Sequence, residues 1–137
     1  MAEAMFRHMV DEAGLSECVQ TASAATSRWE IGEPIHPGTR DVLRLNNIPW
    51  DRSKRAVQVT REDFKNYPYI IVMDNENVDD LQRAGLGPVR KLMDFAPHLG
   101  VKDVPDPYYT HNFDYVFQLV KAGCRGLLAH IREQEGL

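Results

Sequence analysis

Tyr69-Ile70-Ile71-Val72-Met73 is an unbroken apolar run, the strongest strand signal in a chain of 137 residues. Its lack of polar alternation predicts burial on both faces, as in a parallel sheet covered by helices. Asp74 follows as a helix cap, and the helix it opens contains Val78 and Leu81 and ends at Gly85 and Gly87.

Further strands are predicted on either side of this run. Cys18–Ala22 is short and alternating and leads into the small-residue loop Ser23-Ala24-Ala25-Thr26-Ser27, while Ala56–Val59 and Val89–Phe95 supply two more. Helices separate them. Pro34 and Pro37 introduce one that runs to about Asn46, with Val42 and Leu43 facing inward. Thr60-Arg61-Glu62-Asp63 reads as a capped helical turn. The last helix spans about Asn112 to Glu133, with Val116, Phe117, Val120, Cys124, Leu127 and Ile131 on one stripe. Strands alternating with helices give an α/β fold, a three-layer sandwich with a mainly parallel sheet. In such sheets ligands bind outside the carboxyl ends of the strands, where the loops Ser23–Trp29 and Val104–Tyr109 are placed to converge.

The N-terminal helix has Met5, Phe6, Met9, Val10 and Ala13 on one face and Gly14 as its stop, but no capping residue before it. Two readings follow: a frayed terminal helix, or a chain that opens partway into a unit. The length suits one domain, residues 1–137. A net charge of −4 argues against a nucleic-acid partner, and no apolar run is long enough to span a bilayer. With no basic-then-apolar leader, a cytoplasmic location is expected. Cys18 and Cys124 read as reduced thiols, with a disulfide between them left open.

Val104-Pro105-Asp106-Pro107-Tyr108-Tyr109 sets one carboxylic acid between two prolines and ahead of two aromatic rings. Proline fixes φ and disfavours helix in the residue before it, so Asp106 is expected on a stiff, extended loop. A carboxyl beside apolar rings is partly desolvated, which raises its pKa toward the range of a useful proton donor. Such an acid protonates a leaving group and needs a nucleophile opposite it. None is apparent: six residues after Cys18 is Ala24, and six after Cys124 is His130.

With these pieces in order, the chain resembles the low molecular weight protein tyrosine phosphatases over essentially its whole length. The resemblance is carried by Met1–Phe6, Ser23–Ser27 with Trp29-Glu30-Ile31-Gly32, Gln58–Phe64, Tyr69–Asp74 and Asp106-Pro107-Tyr108-Tyr109. It implies that Asp106 protonates a tyrosyl leaving group and later activates water. It implies that Trp29, Glu30, Tyr108 and Tyr109 wall a slot for the phosphotyrosine ring of a protein or small aryl phosphate, with no cofactor and no metal. Both tyrosines are also candidates for phosphorylation. From the residues alone, Trp29 reads equally as a lid over the core, and the tyrosine pair as aromatic cover on a proline-rich loop.

The departures from the family pattern shape the functional expectation. The family's C-x-x-x-x-x-R-[ST] loop follows its first strand, and this sequence begins just after that point. His36 and Gly38 stand where the family usually has Asp and Arg, and Lys54 and Val57 replace its His and Arg. A phosphate dianion needs backbone N–H groups and a bidentate arginine, and the attacking cysteine needs the same positive environment. The chain is therefore expected to be inactive as it stands. The alternatives are an active phosphatase whose N-terminal segment was lost by truncation or a misassigned start, and a binding or assembly module. An arsenate reductase, which requires nearby resolving thiols, ranks last. The absent strand would lie between Cys18–Ala22 and Tyr69–Met73. Its neighbours then close up, take a strand from another chain as a homo-oligomer, or leave the fold marginal.

Overall fold

The computed structural model describes residues 1–26, 31–107 and 111–137. Its helices begin and end on the residues whose chemistry demands it. Helix α1 (Ala2–Glu12) starts from Met1 without a side-chain cap, and Gly14 behind it takes the left-handed conformation at φ +72°. Helix α2 (Pro37–Leu45) carries proline in its first turn, and the His36 ring accepts the Gly38 N–H. Helix α3 (Arg61–Asn66) has a complete capping box: Thr60 accepts from the Asp63 N–H, and the Asp63 carboxylate accepts from the Thr60 N–H. Helix α4 (Asn75–Arg83) is capped by Asp74, which accepts the Asn77 N–H at 2.8 Å. Helix α5 (Phe113–Glu135) starts on Asn112 and stops at Gly136, φ +68°.

The sheet is smaller than the sequence suggests. Strand β1 (Ile71–Val72) pairs in parallel with β2 (Arg90–Lys91), Ile71 opposite Arg90 and Val72 opposite Lys91. Only the middle of the apolar run is therefore strand. Val72 is buried, while Tyr69, Ile70, Ile71 and Met73 are half-buried, so the expectation of burial on both faces is corrected. Behind β2 the predicted strand gives way to a 3₁₀ turn, Leu92–Phe95.

Cys18–Ala22 is not a strand: residues 16–18 form a turn, and those after it run to a single parallel bridge, Ala25 to Gln58. Gln58 is likewise all that Ala56–Val59 contributes to pairing. A strand needs a partner at ladder distance, and among the described residues neither segment has one along its length. Nor do Cys18–Ala22 and the β1 region close up on each other.

The core is built around α5. Val116, Phe117, Val120, Cys124, Leu127 and Ile131 face Met5, Phe6 and Val10 of α1, Val42 and Leu43 of α2, and Leu92, Met93 and Ala96 after β2. Gly123 and Gly126 let α5 approach the 3₁₀ turn closely. A Cβ on Gly126 would fall on the Phe95 carbonyl, and one on Gly123 would sit 2.5 Å from Leu92 Cγ. The result is an α/β fold on a small parallel sheet.

Candidate active site

The loop carrying Asp106 is fastened to the carboxyl end of β1. Val104, 5% exposed, donates its N–H to the Met73 carbonyl at 2.9 Å. One residue earlier, Asp103 accepts from Lys91 Nζ at 2.9 Å, and the same ammonium donates to Asn75 Oδ1 at 2.9 Å. One lysine thus ties the end of β2, the start of α4 and this loop together. Beyond Asp106 the His111 N–H reaches back to the Pro107 carbonyl at 2.7 Å, with His111 at φ +56°.

A second loop is tied to α4 and to α1. Thr26 Oγ1 donates to Asp80 Oδ2 of α4 at 3.0 Å, and Ser23 Oγ donates to Glu3 Oε2 at 3.1 Å. Lys54 Nζ donates to the Ser23 carbonyl at 3.0 Å. The backbone of Ala25 is held from both sides, its N–H to Val57 and its carbonyl to Val59. Gly32 donates its N–H to the Ala56 carbonyl at 2.8 Å. The Asp106 loop is thus anchored at the carboxyl end of β1, the position where ligands of open α/β sheets bind, and the second loop is tied to α4, the helix that follows β1.

Of the five site residues read from sequence, the structure describes one. Asp106 is exposed on its anchored loop, and the aromatic rings expected beside its carboxyl lie outside the described residues. Trp29, Glu30, Tyr108 and Tyr109 lie outside the described residues. Asp103, Lys91, Thr26 and Asp80, which position the two loops, were missed by sequence reasoning. Their pairings join residues far apart in the chain, and no local signal announces them.

The cysteines are accounted for by their surroundings. Cys18 is exposed in a turn and Cys124 is buried in α5, both as free thiols. Burial pushes the Cys124 thiol up to about 12, the opposite of what a nucleophile requires. The Met1 ammonium, packed against the same core, is pushed below its usual value by burial, with Glu3 and Cys124 partly opposing. Among the described residues no group of His, Cys, Asp or Glu is arranged to hold a metal ion, and no helix is long and apolar enough to cross a membrane.

Comparison with known proteins extends this picture. Residues 1–136 match the family described as low molecular weight phosphotyrosine protein phosphatase. The low molecular weight protein-tyrosine-phosphatase YfkJ of Bacillus subtilis is 41% identical over 141 residues, covering 100% of this chain and 90% of that protein. The corresponding PtpA of Staphylococcus epidermidis is 38% identical over 140 residues, covering 100% and 88%. The crystal structure of YfkJ superposes with a TM-score of 0.91, covering 97% of this chain and 86% of that one.

Proposed function

Because this chain belongs to the low molecular weight phosphotyrosine protein phosphatase family, we propose that its 137 residues form one domain that keeps the acid side of a phosphotyrosine phosphatase site and lacks the nucleophile side. In this reading Asp106 is the general acid and base. Trp29, Glu30, Tyr108 and Tyr109 form the ring slot, and the protein works in the cytoplasm.

One observation carries the proposal: neither cysteine begins a C-x-x-x-x-x-R-[ST] loop, since Ala24 and His130 occupy the arginine position. The burial of Cys124 adds to it, because a thiol held near 12 supplies no thiolate at neutral pH. A general acid alone provides about 10²–10⁴-fold of accelerations that reach 10⁶-fold or more. A polypeptide of these 137 residues is therefore expected to release no p-nitrophenol from p-nitrophenyl phosphate above the buffer rate. Turnover that disappears in Asp106→Ala would overturn the proposal.

A second reading keeps the same residues within a longer, active polypeptide that also carries the cysteine loop. The intact Pro105-Asp106-Pro107 segment, anchored at the carboxyl end of β1, favours it. The genomic DNA before codon 1 decides between the two: an in-frame strand followed by C-x-x-x-x-x-R-[ST] selects the active enzyme.

A third reading is assembly. In the parallel register the Arg90 N–H bonds the Ile70 carbonyl, so the N–H and C=O of Ile71 point to the other edge of β1. Thr21 Oγ1 is buried without a hydrogen-bond partner among the described residues. Unmet backbone and hydroxyl groups favour a strand supplied by another chain. An elution volume that shifts with protein concentration on size exclusion supports assembly, and a constant monomer volume excludes it.

A further inference from the structure

From the geometry around Trp50 we infer a docking cleft for an acidic peptide segment, independent of whether the chain hydrolyses phosphate. The cleft measures about 120 Å³ and lies between the start of α2 and the loop after it. Pro34, Ile35 and the half-buried indole of Trp50 form its apolar surface. Arg44 and Arg52 place their guanidinium carbons 5.9 and 5.4 Å from the centroid of the indole ring. Arg40 and Lys54 complete the lining on its cationic side.

Four cations thus share a small cleft in a chain whose net charge is −4. Like charges gathered this closely repel one another, and little acid is present to offset them. Asp51 is the lone acid of the lining, and its Oδ1 already accepts from the Ser53 N–H at 2.9 Å and the Ser53 hydroxyl at 2.6 Å. Arg44 has Asp41 at 3.7 Å on the open surface, and Lys54 has Glu3 at 3.7 Å. Arg40 and Arg52 have no ion-pair partner among the described residues. The loop is also stiffened: Arg55 Nη1 donates to the Arg52 and Lys54 carbonyls at 3.2 and 3.1 Å.

A guanidinium fork matches a carboxylate in two parallel hydrogen bonds, and ring contact orients the fork before the ligand arrives. The stems of glutamate side chains fit the Pro34–Ile35–Trp50 surface while their carboxylates meet the rim. The cleft is too small to track a polynucleotide backbone, and the chain's net charge of −4 disfavours a long polyanion. The chemistry therefore selects a short run of Glu and Asp in a protein.

The test uses the 137-residue chain and a fluorescein-labelled dodecapeptide rich in Glu, followed by fluorescence anisotropy, with a Gln-for-Glu peptide as control. Saturable binding of the acidic peptide alone is expected, weakening ~10-fold between low and physiological salt. Arg52→Glu is expected to weaken it a further ~10-fold, whereas Arg125→Glu, the same charge change outside the cleft on α5, changes it less than ~2-fold. Circular dichroism confirms that both variants fold. Three results would each overturn the assignment: no saturable binding at millimolar peptide, equal losses in the two variants, or tighter binding of a single-stranded oligonucleotide that Arg52→Glu abolishes.

Discussion

Where α5 crosses the turn after β2, no residue larger than glycine fits at position 126, whereas among the described residues β1 pairs only with β2, on one of its two edges. The two regions lie in one chain and share one core, yet they are finished to different degrees. The first is held by apolar side chains on a single long helix, a pattern that local periodicity can complete. The second depends on hydrogen bonds that only another strand can supply. Among the described residues, the helical side of the core is thus closely packed while the sheet has two strands.

The sharpest way to break this contrast is Gly126→Ala. Alanine gains ~1 kcal/mol in helix propensity. Its methyl, however, would land on the Phe95 carbonyl, so backbone rather than a flexible side chain must move. Overpacking of that kind is expected to win, with a net loss of ~3 kcal/mol in urea denaturation. A loss below ~1 kcal/mol would show that α5 is not closely packed there.

Within β1 itself, Val72→Ala should cost ~2 kcal/mol and Ile71→Ala less than half of that, because Val72 is 6% exposed and Ile71 only half-buried. Equal losses by the same denaturation experiment would mean that the outer edge is covered after all.

The buried thiol gives a pH test of the closed side. Cys124 titrates at an ordinary 9.0 when unfolded and near 12 when folded, so between these values the native state holds more protons. Its stabilisation is complete below pH 9 and is lost as pH rises, ~1.4 kcal/mol by pH 10. Met1 acts in the opposite sense and only below its usual 8.0, so it does not enter this window. Tyr69, whose phenol is held up first by its hydrogen bond to Glu135, adds to the loss only above its ordinary 10.0. Thermal melts from pH 8.5 to 10 should slope downward, and Cys124→Ala should flatten them.

The smallest expected effect is on the open side. Thr21→Val removes the buried hydroxyl that has no partner among the described residues and keeps the shape, so a gain of ~0.5–1 kcal/mol is expected. A loss would show that the hydroxyl is hydrogen-bonded in solution.

The same division explains what could be read from the sequence. Helix signals sit within one element: Pro37, the Thr60–Asp63 pair, Asp74, Asn112 and Gly14 each act where local chemistry predicts. Strand signals do not. Among the described residues, Cys18–Ala22 has the alternation of a strand but no neighbour to pair with, and Tyr69–Met73 shrinks to Ile71–Val72 for the same reason. At the candidate site, the two prolines predicted a loop, and residues 104–106 have no regular secondary structure. Its clamp, Lys91 to Asp103, spans two elements and left no trace in local pattern. The cluster around Trp50 was not read from the sequence: Arg52 and Lys54 lie beside it in the chain, but Arg40 and Arg44 join it only through the fold.

The placement of the two thiols has a practical consequence. Cys18 is exposed at the turn entering the segment that leads to Ala25, while Cys124 is sealed in α5. A maleimide dye or nitroxide added to the native protein will therefore mark one site without mutagenesis. Its spectrum then reports directly on the segment that runs to the Ala25–Gln58 bridge.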